Sequence, residues 1–564
     1  MLVTSPAVTW RLCSGFVLVV LALAGCGSGH HARPKPRVSS LLPPFAPLGD
    51  RLPAAGAADP GRPNIVFVLA DDLNADLLPF MPHVQELAKR GIRFSKYIVS
   101  DSLCCPSRAS LFTGELPHNT KVFTNSRPDG GFYAFRRHAD EAKTFNVSLY
   151  RHGYRTALEG KYLNGYAASS GGVPNGWSSW SGTGKGYHGF DYTLDENGRP
   201  VYYGSQPTDY LTDVLAYQAR RFVSEANTGL LGGAVRDPRP LLLEVATFAP
   251  HLPATPAPRD AGVYPHARAP RTPGFGVANT DPLPWLQGRG PLTPRQLHFI
   301  DAAFQRRARS VVAIDQLVGN LEDELRRNGQ LNNTYFVFSS DNGLHMGQHR
   351  LLPGKKTAFD TDIRVPLIIA GPGVPAGRTV HAIVQNTDIA PTFEELAGAP
   401  VPSSNDGRSL VPFLRGKRPA HWRRAALVEH RRTPFLPGDP DRQPPEAGNP
   451  PSYEALRLPS ATYVEYEDGL REYYDDRRDP AQLHNVYATL PAARQARLHQ
   501  MVLNLAGCRG SAECFGRVPV GNPAEDGNLP AAPRRRRRLL ALAPGGAAAA
   551  AARPRRRRPR PAHG

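Results

Sequence analysis

The sequence predicts an α/β fold: a largely parallel central sheet flanked by helices, followed by a smaller C-terminal subdomain with an antiparallel sheet. Three observations carry that reading. Short, nearly continuous apolar runs alternate with helical periodicity. Several of those runs stop abruptly at acids, an amide or a histidine. Beyond about Ala420 the pattern changes to short strands joined by turn residues.

The first run is Asn64–Leu69 (NIVFVL), followed by a helical pattern from Met81 to Gly91. Leu241–Ala246, Thr334–Ser339 and Val365–Ala370 are further runs, with a helical stretch from Asp301 to Asn328 before the second of them. Strands apolar on both faces belong to a sheet covered on both sides, and strand–helix alternation brings successive strands in parallel. Past Ala420, Ala425–Glu429 reads as a strand. Tyr463–Glu467 and Leu470–Tyr474 flank Asp468-Gly469, a pair suited to the positive φ angles of a tight hairpin. Pro491 to Ala506 reads as an amphipathic helix, and the Pro-rich stretch from Arg431 to Pro459 as a surface loop near the substrate entrance. The expected units are a catalytic domain over 63–419 and a C-terminal subdomain over 420–516.

The chain ends read differently. A single early charge, Arg11, precedes an apolar stretch from Phe16 to Ala24 that closes with Leu23-Ala24-Gly25-Cys26. Residues 1–26 therefore read as an export signal. The closing tetrapeptide resembles a bacterial lipobox, which implies a lipidated Cys26 and a membrane lipoprotein on the extracytoplasmic side; an ordinary cleaved signal would give a secreted protein. Residues 27–62, rich in Pro, Gly and Ser, suit a tether, and one diacyl anchor provides the two chains that stable attachment needs. Apart from the signal, no apolar run reaches the roughly 20 residues of a membrane span, which excludes a polytopic membrane protein. The net charge of +19 is concentrated in the tail 517–564, where eleven arginines lie between Arg534 and Arg560; setting them aside leaves +8. The folded part is mildly basic, the tail reads as a solvated segment, and nucleic acid is not the expected partner. In an exported protein Cys508 and Cys514 are placed to close a small disulfide loop. The vicinal pair Cys104-Cys105 is too strained for that and calls for another explanation.

Residues able to do chemistry stand directly after the strands. Asp71 and Asp72 come after the first, Pro250-His251 after the second, and Asp341-Asn342-Gly343 after the third. In open α/β sheets ligands bind outside the carboxyl ends of the strands. Asp71, Asp72, Asp341 and Asn342 offer only oxygen ligands, which suits Ca²⁺ and, second to it, Mg²⁺. Without a cation these carboxylates would raise one another's pKa values and repel an anionic substrate. Cys104-Cys105-Pro106-Ser107-Arg108 reads as a loop entering a helix, with Pro106 in the first turn. That places Cys104 at a helix N-terminus, where backbone N–H groups favour an anion, and Arg108 one turn on.

Cys104-Cys105-Pro106-Ser107-Arg108 resembles the Cys-x-Pro-Ser-Arg signature of type I sulfatases, in which the first cysteine is oxidised to formylglycine. The resemblance continues through Glu159-Gly-Lys161-Tyr-Leu-Asn164, Pro250-His251-x-Pro253, Asp341-Asn342-Gly343, Gly347-Gln-His349-Arg350 and Gly354-Lys355, and spans Pro63 to Asn485. The Gly-Lys-Tyr-Leu-Asn form is similar to the glucosamine-6-sulfatase and extracellular arylsulfatase branch.

The resemblance implies an alkaline-phosphatase-like fold and a set of roles. Asp71, Asp72, Asp341 and Asn342 would bind Ca²⁺, with the formylglycine from Cys104 and the substrate sulfate completing its surroundings. Arg108 would orient the formylglycine hydrate, Lys161, His251 and Lys355 would contact the sulfate, and His251 or Lys355 would protonate the leaving alcohol. It also implies a sulfated small molecule or glycan as substrate and a formylglycine-generating enzyme during maturation. The chain departs from the pattern two residues after Lys161, where many sulfatases have a histidine and this sequence has Leu163. Asn164 is the candidate stand-in, and His345 and His349 are candidates for substrate contact. Two other readings compete: a formylglycine-dependent phosphonate or phosphate ester hydrolase, and a non-catalytic lipoprotein that binds sulfated glycans.

Overall fold

Strand β1 (Asn64–Ala70) is buried along its whole length and lies within a ten-stranded sheet. Its side chains alternate between two cores. Ile65, Phe67 and Leu69 enter one; Val66, Val68 and Ala70 enter the other. This continuous apolar run is therefore what a strand sandwiched between helical layers requires. The computed structural model describes residues 61–169, 172–228, 237, 239–432, 439 and 441–516. The segment read as an export signal, nearly all of the stretch read as a linker and the Arg-rich tail lie outside the described residues.

The other strands of the large sheet are β2 (Ile92–Ile98), β3 (Arg155–Lys161), β4 (Ser179–Thr183), β5 (Tyr192–Glu196), β6 (Arg199–Tyr203), β7 (Leu241–Ala246), β8 (Thr334–Ser340), β9 (Leu367–Ala370) and β10 (Arg378–Gln385). They run in the order β10-β2-β9-β8-β1-β7-β3-β4-β5-β6. The centre, from β8 through β4, is parallel. The sheet as a whole is mixed, because β9 pairs antiparallel with both β8 and β2 and a β4-β5-β6 meander closes the other side. Between β8 and β9, residues 341–366 form loops at the strand-end edge and one four-residue helix, Asp360–Ile363, instead of a helix that crosses the face of the sheet, so the chain re-enters the sheet from the edge it left and β9 runs antiparallel. β9 also starts at Leu367, two residues later than the sequence reading, since Pro366 has no N–H for the ladder.

Helices Leu211–Thr228 and Pro294–Arg327 cover one face of the sheet, and Cys104–Thr113, Phe145–Arg151 and Ile389–Ala397 cover the other. A second, antiparallel sheet follows in chain order: β11 (Ala426–His430), β12 (Tyr453–Arg457), β13 (Ala461–Tyr466) and β14 (Arg471–Asp475). Its period-two alternation divides it between two layers. Ala426, Val428, Ala455 and Val464 join the large core, while Leu427, Leu456 and Tyr463 pack under the helix Ala492–Ala506. Strand β12 corrects the reading of 431–459 as a loop throughout: its residues alternate across a strand that pairs on both sides. Cys508 and Cys514 are disulfide-bonded, and Cys104 and Cys105 are free.

Candidate active site

Strand register brings the predicted residues together. Ala70 pairs with Ser340, Leu69 with Ala246, and Gly160 with Ala246, so β1, β8, β7 and β3 end level at one edge. The next residues of β1 and β8 are Asp71, Asp72, Asp341 and Asn342. Lys161 ends β3, and His251 comes after β7 by a short loop. The backbone is shaped for this convergence. Asp72 takes a positive φ of 63°, which aspartate tolerates better than most residues. Gly160 has φ +110°, and a Cβ there would stand 2.1 Å from the Ala246 carbonyl oxygen, so only glycine lets β3 approach β7 just before Lys161.

The helix Cys104–Thr113 carries the vicinal cysteines into the same edge, with Cys104 as its first residue and wholly buried. The Cys104 sulfur lies 3.3 Å from Asp71 Oδ1 and accepts from Lys355 Nζ at 2.9 Å. Cys105 is turned away into the apolar core, and its backbone N–H donates to Asn125 Oδ1 at 2.9 Å. Arg108, one turn on, donates from Nε to Asp341 Oδ2 at 2.7 Å and from Nη1 to the Lys161 carbonyl at 3.0 Å. It thus locks three of the converging segments to one another.

Arg108, Lys161 and Lys355 each have a carboxylate partner. Lys161 Nζ stands 2.6 Å from Asp71 Oδ2, and Lys355 Nζ 2.8 Å from Asp72 Oδ1 and 2.5 Å from Asp441 Oδ1. Burial and repulsion between neighbours still show. Burial pushes the Asp71 carboxyl up to about 6 against the pull of Lys161. The Cys104 thiol is driven far up by burial, with Asp441 and Asp71 adding to it. Asp341 is held below the usual carboxylate range: burial opposes this, but Arg108, Lys161 and Lys355 outweigh it. Burial pulls His251 down, yet Asp72, Asp71 and Asp441 raise it overall. Its Nδ1 faces the Leu252 carbonyl at 2.5 Å and its Nε2 faces Asp441 Oδ1 at 2.9 Å. With an acceptor on each ring nitrogen, the ring sits as a doubly protonated imidazolium would.

Three participants had no signal in the sequence. Asp441 lies in the Pro-rich segment before β12, where nothing local distinguishes it; it joins Lys355 and His251 and accepts from Asn125 Nδ2. Tyr187 packs on His251, ring centres 4.6 Å apart, and its ring stands 5.3 Å from Lys161 Nζ. Arg307, buried on the helix Pro294–Arg327, donates to the Asp72 carbonyl, to Asn74 Oδ1 at 3.0 Å and toward the Pro250 carbonyl at 3.4 Å. It ties the Asp72 turn to the loop that carries His251.

Other candidates lie aside. His345 bonds Asp362 and the Ala447 carbonyl. His349 stacks on Phe359 and contacts Asn279, and burial with the nearby His345 drives its pKa down to about 3, so it is a neutral packing residue. Leu163 is in the apolar core, and Asn164 donates to the Tyr187 hydroxyl at 3.2 Å.

The donor set fits a hard cation. Ligand atoms of Asp71, Asp72, Cys104 and Asp341 all lie within 4.8 Å of one another. Asn342 Oδ1 is buried beside them without a hydrogen-bond partner. A buried amide oxygen among carboxylates is an expensive arrangement that a bound divalent ion resolves.

Residues 63–399 match the family model for sulfatase. The chain belongs to the sulfatase family. This sulfatase is 34% identical to the N-acetylglucosamine-6-sulfatase of Capra hircus over 82% of this chain and 87% of that one. It is 33% identical to the N-acetylglucosamine-6-sulfatase of Homo sapiens over 80% of this chain and 86% of that one. These likenesses put it in the glucosamine-6-sulfatase branch, and it is a sulfuric ester hydrolase. Among solved structures, one described in complex with its substrate, D-glucosamine-2-N,6-O-disulfate, superposes with a TM-score of 0.65 at 23% identity, covering 78% of this chain and 97% of that one. The fold is the alkaline-phosphatase-like one anticipated from the sequence, with a mixed central sheet.

Proposed function

We propose that this sulfatase removes a sulfate ester from a sulfated hexosamine, with formylglycine made from Cys104 as nucleophile and Ca²⁺ held by Asp71, Asp72, Asp341 and Asn342. The single observation that carries the mechanism is the convergence of Lys355, Asp71 and the metal-type oxygen cluster on the side chain of Cys104. The names of the relatives support the choice of sugar.

When present, the cation withdraws charge from sulfuryl oxygens and the hydrated aldehyde provides an oxygen nucleophile. The chain's own residues do the rest. Arg108, fixed by Asp341 and the Lys161 carbonyl, holds the side chain of residue 104 in place. Lys161 and Lys355 supply positive charge for the anionic ester, in a buried setting where it acts strongly. His251 is the proton donor to the leaving sugar oxygen, since its two acceptors and raised pKa keep it protonated. Asp441 orients His251 and keeps it charged.

The proposal includes maturation by a formylglycine-generating enzyme, export, and lipid anchoring at Cys26; Cys26→Ala should move the protein from the membrane fraction to the soluble one. The deciding assay compares N-acetylglucosamine 6-sulfate with the matched 6-phosphate. Faster release of inorganic sulfate supports the reading, and faster release of phosphate overturns it.

A further inference from the structure

One buried side chain joins the two halves of the site. Asn125 accepts from the Cys105 N–H at Oδ1, 2.9 Å away, and its Nδ2 donates to Asp441 Oδ2. The amide cannot be turned over, because the backbone N–H needs its oxygen. The nitrogen therefore faces Asp441, whose carboxylate accepts. Asp441 Oδ1 takes two further donors, Lys355 Nζ at 2.5 Å and His251 Nε2 at 2.9 Å. Asn125 is itself held. Its loop closes through the Gly131 N–H on the Thr124 carbonyl at 2.9 Å and the Phe123 N–H on the Asp129 carbonyl at 2.8 Å. Gly131 has φ +66°, and a Cβ there would stand 2.7 Å from the Asn125 carbonyl oxygen. Asp441 belongs to no helix or strand. Its backbone is tied by its N–H to Asp439 Oδ1 at 2.9 Å and by its carbonyl to Lys356 Nζ at 2.8 Å. The direction of its carboxylate is left to Asn125 and the two cations.

We infer that Asn125 is a positioning residue that sets the distance between the nucleophile and the proton donor. One end of its amide fixes the backbone that carries residue 104. The other fixes the carboxylate that aims His251 and Lys355. Displacement at sulfur puts the attacking and leaving oxygens on opposite sides of the sulfuryl group. The group that attacks and the group that protonates must then keep a fixed span, each within hydrogen-bonding reach of its own oxygen. Asn125 acts through Cys105 and Asp441, and so couples segments 316 residues apart in the chain. This rests on the reading of residue 104 as nucleophile and His251 as acid.

The test measures kcat/KM on a series of aryl sulfates whose phenols range from acidic to weakly acidic. Asn125 also lines the cleft of about 1220 Å³ that opens beside the strand ends, and aryl esters keep sugar contacts there out of the comparison. The reaction needs its acid more as the phenol grows less acidic. Asn125→Ala should therefore cost about 10–100-fold on the least acidic phenol, the worth of one hydrogen bond to a charged group, and progressively less as the phenol grows more acidic. An equal loss across the series overturns the inference, since a merely structural role would slow every ester alike. In an Asp441→Asn background the same substitution should add less than about twofold; the full loss there also overturns it. Asn125→Leu, of the same branched shape, carries both readouts if the alanine variant does not fold. His251→Ala, run beside them, separates this inference from the reading it rests on. If His251→Ala steepens the dependence on the phenol and Asn125→Ala does not, the positioning role alone fails. If neither does, the acid assignment fails with it.

Discussion

The floor of the site and the outer cleft beside it handle charge in opposite ways. On the floor, Lys161, Lys355 and Arg108 are buried and each touches a carboxylate; in the cleft, Arg137 and Lys185 are exposed and have no carboxylate partner among the described residues. Buried cations are tolerable only because their partners hold them, and breaking one pair strands the other charge in a medium that cannot solvate it. Exposed cations need no partner, but water and salt weaken what they do. The difference separates charges that partners hold in place from charges open to solvent. Floor substitutions should lower the chemical step on every sulfate ester, and substitutions of Arg137 or Lys185 should leave that step on an aryl sulfate unchanged.

The comparison can be broken in steps of decreasing size. Cys104→Ala should lower kcat by more than about 10³-fold on every sulfate ester, since it removes the nucleophile. A residual rate within tenfold of the parent would show that the nucleophile is elsewhere. His251→Ala should cost about 10²–10⁴-fold, and less for an aryl sulfate, whose leaving group needs little help from an acid. Because the pKa of His251 is raised, the donor stays protonated above its ordinary range, and the rate falls as pH rises through that raised value. Asp441→Asn removes one of the carboxylates that hold the proton, so this alkaline limb should move to lower pH; a limb that stays put takes His251 out of the acid role.

Arg307 sharpens the contrast, because among the described residues its side chain donates only to backbone carbonyls, Asn74 and the Met346 sulfur, yet it braces the floor. Arg307→Ala should cost about 10–100-fold in activity or metal affinity, as loss of a residue supporting metal ligands commonly does. Arg307→Lys, which cannot span all the acceptors, should recover only part.

The smallest effect is on stability and lies away from the chemistry. Burial pushes the Glu244 carboxyl on β7 up to about 8, and neither of its oxygens has a hydrogen-bond partner. The folded protein therefore keeps a proton that the unfolded chain releases near 4.5. That contribution to stability is complete below 4.5 and is lost as pH rises to about 8. Glu244→Gln should flatten the fall in Tm across this window. An unchanged slope would place the pH dependence on other groups.

The floor was legible in the sequence to the extent that its residues are local to strand ends. An apolar run fixes where a strand stops, and the next two positions must then lie at the sheet edge, as Asp71, Asp72, Asp341 and Asn342 do. His251 was also read from a strand end, whereas Lys161 and Lys355 were reached through motif resemblance, since a lone lysine after a strand is otherwise a surface residue. Asp441, Tyr187 and Arg307 could not be found that way. Each arrives at the site from a segment whose position is set by packing far along the chain, and no local pattern marks it. The direction of β9 was missed for a related reason: an apolar run declares a strand but not its direction, which here is set by a connection that returns to the edge β8 left instead of crossing the sheet.

The most direct test of the central claim is the mass of the tryptic peptide that contains Cys104, taken from protein made in its native host and shown to release sulfate. The account predicts replacement of the CH₂SH side chain by an aldehyde. An intact thiol throughout a preparation that still hydrolyses sulfate esters would contradict it.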